Sequence, residues 1–255
     1  MITPQTVLIT GATSGFGEAA ARGFAACGCN LILTGRRQDR LDSLKKELSQ
    51  QVEVLTIAQD ISDLEAVRHD IESLPEAFRA IDVLVNNAGA ALGTEPAHKA
   101  RLAEWQQMVD VNIKGLLAIT HAVLPGMAKR KKGHIINIGS IAGTYPYPGG
   151  NAYCGTKAFV NQFSLALRAD LNSQDVRVTS LEPGAAETEF SKVRFRGDDK
   201  AASQVYNGYK PLSAEDVADI IVWVATRPAH VNINRLEVMA TAQAFSPFAF
   251  AKKED

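Results

Sequence analysis

Tyr153 and Lys157 stand four residues apart, which on a helix puts a phenol and an ammonium on one face. Carbonyl reduction needs a proton donor as hydride arrives, and a phenol with a pKa near 10 is poorly matched to neutral pH. A neighbouring ammonium favours the phenolate. Two unit charges about 4 Å apart interact by roughly 4 kcal/mol at an effective dielectric near 20, an upper bound of about 3 pKa units. Ser140, thirteen residues before Tyr153, offers a hydroxyl to hold the substrate oxygen. Tyr-x-x-x-Lys alone is more often an ordinary helix-surface pair, so its weight depends on what surrounds it.

A second constellation lies near the amino terminus. Thr10-Gly11-Ala12-Thr13-Ser14-Gly15-Phe16-Gly17 falls between an apolar strand and a helical stretch. Glycines there let backbone turn sharply and approach a pyrophosphate, and a helix N-terminus supplies N–H donors. The next strand ends in Thr34-Gly35-Arg36-Arg37, with no carboxylate until Asp39. An acidic residue at that point would bond a ribose 2′-OH, whereas Arg36 and Arg37 offer planar forks to a 2′-phosphate. The expected cofactor is therefore NADP(H). Asp60, after the third strand, is placed to accept from an adenine amino group. Asn86-Asn87-Ala88-Gly89, after the fourth, is suited to lining a cofactor and bracing the sheet.

These groups need a frame, and the chain supplies an alternation of short β-branched runs with helical stretches. Strands are expected at 6–10, 30–34, 52–57, 81–85, 134–138, 176–181 and near 236–238. Leu41, Leu44 and Leu48 mark one helix face, as do Leu64, Val67 and Ile71. Longer helical stretches run over about 105–128, 152–171 and 214–225. Runs that are apolar throughout imply strands buried on both faces. The expected fold is an α/β, Rossmann-type, doubly wound parallel sheet with helices on both faces, as one domain over 1–255. Residues 183–212 break the rhythm, being rich in polar residues and glycine, and read as a loop with small helices; 185–212 is the candidate substrate lid and 240–255 the carboxy-terminal tail. Ligands in such sheets bind beyond the carboxyl ends of the strands, where every motif above falls.

Composition narrows the classes. Hydrophobic residues at 46% and charged residues at 22% allow a sizeable core, and a net charge of −1 provides no basic field for nucleic acid or lipid. Met1 to Gln5 lack a signal-peptide pattern, and no run of about 18 apolar residues is evident. Cys27, Cys29 and Cys154 show neither a disulfide framework nor zinc spacing, which fits a reducing compartment. Cytoplasm is expected. His98, His121 and His134 lie too far apart in the chain to suggest a metal site.

In this order the motifs resemble the short-chain dehydrogenase/reductase family over nearly the whole chain: Thr10 to Gly17, Asn86 to Gly89, Asn112, Ser140, Tyr153-x-x-x-Lys157 and Pro183-Gly184. The resemblance implies that Tyr153 is the general acid/base and that Ser140 orients the substrate. It implies that Lys157 lowers the tyrosine pKa and holds the nicotinamide ribose, and that Asn112 supports a proton relay through a bound water. It assigns Pro183, Gly184 and Thr188 to the nicotinamide end of the cofactor, and implies a homotetramer.

Leu92 to Ala97, Tyr145 to Asn151, Thr188 to Phe195 and Ala229 to Asn234 are similar to the NADP-dependent 3-hydroxy acid dehydrogenases, with sulfoacetaldehyde reductases closely related. The shared chemistry is an acidic group one or two carbons from the reacting carbonyl, so the expected partner is a small anionic carbonyl or alcohol. Arg194, with Tyr147 beside it, is the candidate for binding that anion. The resemblance implies a tail that approaches the active site of a neighbouring subunit, and here that tail departs from the group's pattern. There Gln243 is a candidate anion donor and Phe248 a candidate closure over the substrate, which keeps sulfoacetaldehyde open. A non-catalytic NADP(H)-binding sensor would be favoured by loss of Ser140, Tyr153 or Lys157, and all three are present. A bulky apolar substrate such as a steroid is disfavoured by the polar run Glu187 to Arg194.

Overall fold

The computed structural model describes residues 4–246 and 249–252. Seven strands form one sheet: β1 (Thr6–Thr10), β2 (Asn30–Gly35), β3 (Val54–Ala58), β4 (Val83–Asn86), β5 (Gly133–Ile138), β6 (Val176–Pro183) and β7 (Arg235–Val238). Their order is β3-β2-β1-β4-β5-β6-β7, and all neighbours are parallel. The chain reverses its winding between β1 and β4, so the crevice opens there, beyond the strands' carboxyl ends.

The helices are α1 (Gly15–Ala26), α2 (Gln38–Leu48), α3 (Leu64–Glu72), α4 (Leu102–Val109), α5 (Leu116–Arg130), α6 (Asn151–Asp170), α7 (Glu189–Arg194), α8 (Asp199–Gln204) and α9 (Ala214–Ala225). Phe24 of α1, Leu41 of α2 and Ile221 of α9 pack on one sheet face; Val67 of α3, Ile119 of α5 and Leu167 of α6 pack on the other. The central strands are buried on both faces, as their unbroken apolar runs require, while edge strands β3 and β7 are only partly covered. The helix boundaries follow local chemistry. Asp63 caps α3 by accepting from Ala66 N, and Ser213 with Asp216 forms a reciprocal capping box on α9.

Several expected bounds shift; the fourth strand, for one, begins at Val83 rather than Ile81. The stretch expected as one helix over about 105–128 runs from Leu102 to Arg130 but is interrupted by a π-helical turn over Asp110–Gly115. That span is also long and apolar enough to cross a bilayer by length and composition, with a mean hydropathy of 1.2. Here it packs against α3, α6 and the sheet through Met108, Ile119, Val123 and Met127. The third strand begins at Val54 rather than Val52, since Val52 sits in the turn closing α2, its N–H donating to Leu48 O.

Candidate active site

The β1–α1 turn is locked to the end of β4. Asn87 Nδ2 donates to Thr10 O (2.9 Å) and Gly11 O (3.1 Å), and Asn87 N and Ala88 N donate to Thr10 Oγ1. Gly11 has φ +67°, and a Cβ there would meet Ala88 Cα at 3.0 Å. Gly17 lies beneath: a Cβ on it would fall 2.5 Å from both Asn87 Nδ2 and Gly11 O. Only glycine lets α1 approach this closely. The neighbouring Asn86 braces the sheet instead, its Nδ2 donating to Thr120 Oγ1 and to Asn137 Oδ1.

Above the turn lies a cleft of about 610 Å³ at the carboxyl ends of the strands. Its walls include Gly11, Thr13, Ser14, Gly15 and Phe16 from the turn; Arg36, Arg37 and Asp60 from the ends of β2 and β3; and Asn87, Ala88 and Gly89 from the end of β4. Ser140, Tyr147, Tyr153, Lys157, Pro183, Gly184, Thr188 and Arg194 also line it, whereas Gly17, Asn112 and Gln243 do not. Residues separated by up to 183 positions thus meet in one crevice, and Gly17 supports it from behind.

At the arginine end, Arg37 folds over the turn, donating from Nε to Thr13 Oγ1 (3.2 Å) and from Nη2 to Thr13 O (3.1 Å) and Ser14 Oγ (2.8 Å). Its Nη1 donates to Glu189 of α7 (2.9 Å), and Arg40 Nη1 donates to both oxygens of the same carboxylate (2.8 and 2.9 Å). The arginines hold the Glu189 carboxyl below the usual range. Asp60 Oδ1 accepts from Ser62 N and Oγ, which lowers its pKa.

At the other end, α6 carries Tyr153 and Lys157, both buried. Burial pushes the Tyr153 phenol up and the Lys157 ammonium down to about 8. Lys157 Nζ donates to Ile138 O (2.7 Å) and lies 5.9 Å from the Tyr153 ring centroid. In this geometry burial outweighs the lowering of the tyrosine expected from the lysine; the largest opposing influence is a hydrogen bond with Ser140. The expected phenolate bias is therefore not what these side chains alone produce. Ser140 Oγ also accepts from Ala142 N.

Asn112 sits outside the cleft wall, 2% exposed, in the π-helical turn. Its Oδ1 accepts from Ala90 N (2.7 Å), and its Nδ2 donates to Ala90 O and to Thr156 Oγ1. The side-chain amide thus binds the loop after β4 to α6.

The segment after β6 covers the cleft. Thr188 caps α7, its Oγ1 accepting from Phe190 N, and Phe190 lies tilted against Tyr153 at 5.8 Å. The Arg194 guanidinium stands 5.0 Å over the Tyr147 ring, and its buried Nε has no hydrogen-bond partner among the described residues. Tyr206, which sequence reasoning passed over, donates to Ala186 O and meets Ser191 Oγ at 2.5 Å, tying the lid to itself. Arg196 binds Glu95 and Glu104 on the opposite bank. Solvent screens pairs of this kind, so they position the lid more than they stabilise the fold. Gln243 does not line the cleft: its Oε1 accepts from Ala185 N and packs on Gly184, and its Nε2 donates to Ser246 O. The amide expected to meet an anion is engaged with backbone instead. Phe248 lies outside the described residues.

The glycine turn and arginines can take an anionic ligand, and Tyr153, Ser140 and Lys157 can move a proton at its far end. The short chain dehydrogenase family model matches residues 5–199. The chain is 57% identical over 244 residues to sulfoacetaldehyde reductase 2 of Chromohalobacter salexigens, covering 95% of this chain and 97% of that protein. It is 55% identical over 241 residues to the NADP-dependent 3-hydroxy acid dehydrogenase of Salmonella typhi, covering 94% and 96%. Among solved structures, the closed form of serine dehydrogenase complexed with NADP+ matches with a TM-score of 0.92 and 51% identity, over 98% of this chain and 100% of that one. With fold, site and sequence in agreement, the chain belongs to the short-chain dehydrogenase family and is an oxidoreductase.

Proposed function

We propose that the protein interconverts a short acid-bearing alcohol and its aldehyde or ketone, of the 3-hydroxy acid type, with NADP(H). The observation that carries the substrate class is Arg194, whose buried Nε lacks a hydrogen-bond partner among the described residues and which lines the same cleft as Ser140 and Tyr153. A guanidinium with an unused donor, beside an aromatic face, suits a carboxylate or sulfonate.

The residues present fit the dinucleotide. The turn at Gly11 and Gly17 leaves no room for a Cβ, which favours close backbone approach to a pyrophosphate. Gly15, Phe16, Thr13 and Ser14 line its path, and Arg36 and Arg37 are assigned to the 2′-phosphate. We assign Asp60 to the adenine end, and Asn87, Ala88, Gly89, Pro183, Gly184 and Thr188 to the nicotinamide half. NADP(H), when bound, supplies or accepts the hydride.

The chain's own groups then handle the proton. Tyr153, kept protonated by burial, donates its hydroxyl hydrogen to the carbonyl oxygen during reduction and takes it back during oxidation. Ser140 holds that oxygen beside the phenol. Lys157 supplies positive charge near the phenolate as it forms. Asn112 positions α6 through Thr156, whose Oγ1 also donates to Tyr153 O. We infer one domain with a lid over 185–212 and a tail over 240–255, acting as a cytoplasmic homotetramer.

A second reading, sulfoacetaldehyde reduction to isethionate, is favoured by the 57% identical relative of that name. Oxidation of NADPH, followed by absorbance with malonic semialdehyde and with sulfoacetaldehyde, separates the two, with NADH as control. Higher kcat/KM with malonic semialdehyde supports the 3-hydroxy acid assignment, and preference for sulfoacetaldehyde replaces it. Turnover with neither removes the acid-bearing class.

A further inference from the structure

Glu189 opens the lid helix α7, and both its oxygens are committed to arginines of the β2–α2 corner. Arg37 has five N–H hydrogens. Nε–H and the Nη2 hydrogens are turned onto Thr13 and Ser14, and one Nη1 hydrogen is held by Glu189. One Nη1 hydrogen remains. Arg37 therefore cannot present a two-pronged face to a phosphate while the carboxylate holds it. A phosphate brought beside Glu189 would also meet a like charge.

We propose that Glu189 and the 2′-phosphate of NADP(H) compete for Arg37 and Arg40, so that the phosphorylated dinucleotide unlatches the amino-terminal end of α7 while NAD(H) leaves it tied. The proposal rests on the assignment of Arg37 to the 2′-phosphate made above. The ion pairs suit a latch. The three side chains are 39–41% exposed, so solvent screens the contact and a dianion with three acceptor oxygens can replace it. The other end of α7 stays anchored, since Gly93 N donates to Arg194 O and Arg196 binds Glu95 and Glu104. Release at one end and retention at the other makes the lid a flap hinged beside Arg194. Cofactor identity is thus reported to the residue expected to hold the substrate anion, and Glu189 becomes a specificity determinant that faces the cofactor without gripping it.

The test uses the full chain and the fragments 2′,5′-ADP and ADP, which differ in the 2′-phosphate. Titration calorimetry gives affinity, and hydrogen exchange of peptides spanning 186–196 reports the latch. Wild-type protein is expected to prefer 2′,5′-ADP, and that fragment, unlike ADP, raises exchange near Glu189. In Glu189→Gln the affinity for 2′,5′-ADP rises roughly three- to tenfold, as loss of one or two exposed ion pairs implies. ADP affinity is unchanged, and exchange near the latch is already raised without ligand. If the wild type prefers 2′,5′-ADP but Glu189→Gln binds it no more tightly, the latch is wrong and the phosphate assignment stands. If 2′,5′-ADP protects the same peptides in the wild type, the latch is likewise overturned, independently of any variant. Equal affinity of the wild type for both fragments overturns the phosphate assignment and the latch with it.

Discussion

The buried lysine on α6 sets a pH limit on the reaction. Lys157 has its pKa brought down to about 8, so its charge is present below that pH and lost above it. We expect kcat/KM for reduction to be level below about pH 8 and to fall with rising pH beyond it, seen in a pH-rate profile. Tyr153→Phe removes the proton donor while keeping the ring that packs on Phe190, and should lower kcat by roughly 10²- to 10⁴-fold with the fold intact by circular dichroism. Arg194→Ala should act on a different constant. Losing a charge-assisted contact of about 1.5–3 kcal/mol raises KM roughly ten- to a hundredfold, with little change in NADPH affinity measured separately. An unchanged KM would remove Arg194 from the substrate site.

Among the elements, the β1–α1 turn is the most sensitive to volume. Gly17→Ala places a methyl against Gly11 O and Asn87 Nδ2, where backbone must shift, and should destabilise the protein by about 1–3 kcal/mol in thermal unfolding. This turn was legible from sequence, because glycine spacing between a strand and a helix is a local signal. The central strands and the Leu41–Leu44–Leu48 face were legible for the same reason. The π-helical turn at Asp110–Gly115 was not, since inserting one residue into a helical register leaves the apolar pattern on either side readable as a single helix. Arg40 and Glu189 escaped notice because their partnership spans 149 positions and exists only once the lid has folded across the crevice. Gln243 was legible only by residue type, which suits an anion; the path of the tail, which turns its amide onto Ala185 and Ser246 of the same chain, carries no local signal.

For the molecule as a whole, acid stability is tied to a histidine far from the chemistry. His134 begins the apolar part of β5, is 1% exposed, and bonds Thr179 Oγ1 through Nε2. Burial holds its pKa well below the ordinary value of 6.5. The folded state therefore carries it neutral while the unfolded chain protonates near 6.5. Its contribution is complete above that pH and declines as pH falls, by at most about 1.4 kcal/mol per unit. Urea unfolding between pH 7 and 5 should show this slope in the wild type and a shallower one in His134→Leu. Equal slopes would mean the ring's surroundings accept the charge.

The two banks of the crevice are also built from different forces. The glycine turn is fastened by hydrogen bonds between Asn87 and backbone, whereas α7, besides the Gly93 N to Arg194 O hydrogen bond, is flanked by ion pairs, Glu189 on one side and Arg196 on the other. Ionic strength discriminates between such fastenings: the Debye length shrinks from about 8 Å at physiological salt to about 3 Å at 1 M. Concentrated salt would leave the nucleotide shelf in place and slacken only its cover, so the solute content of the surrounding solution becomes a setting for how readily the crevice opens.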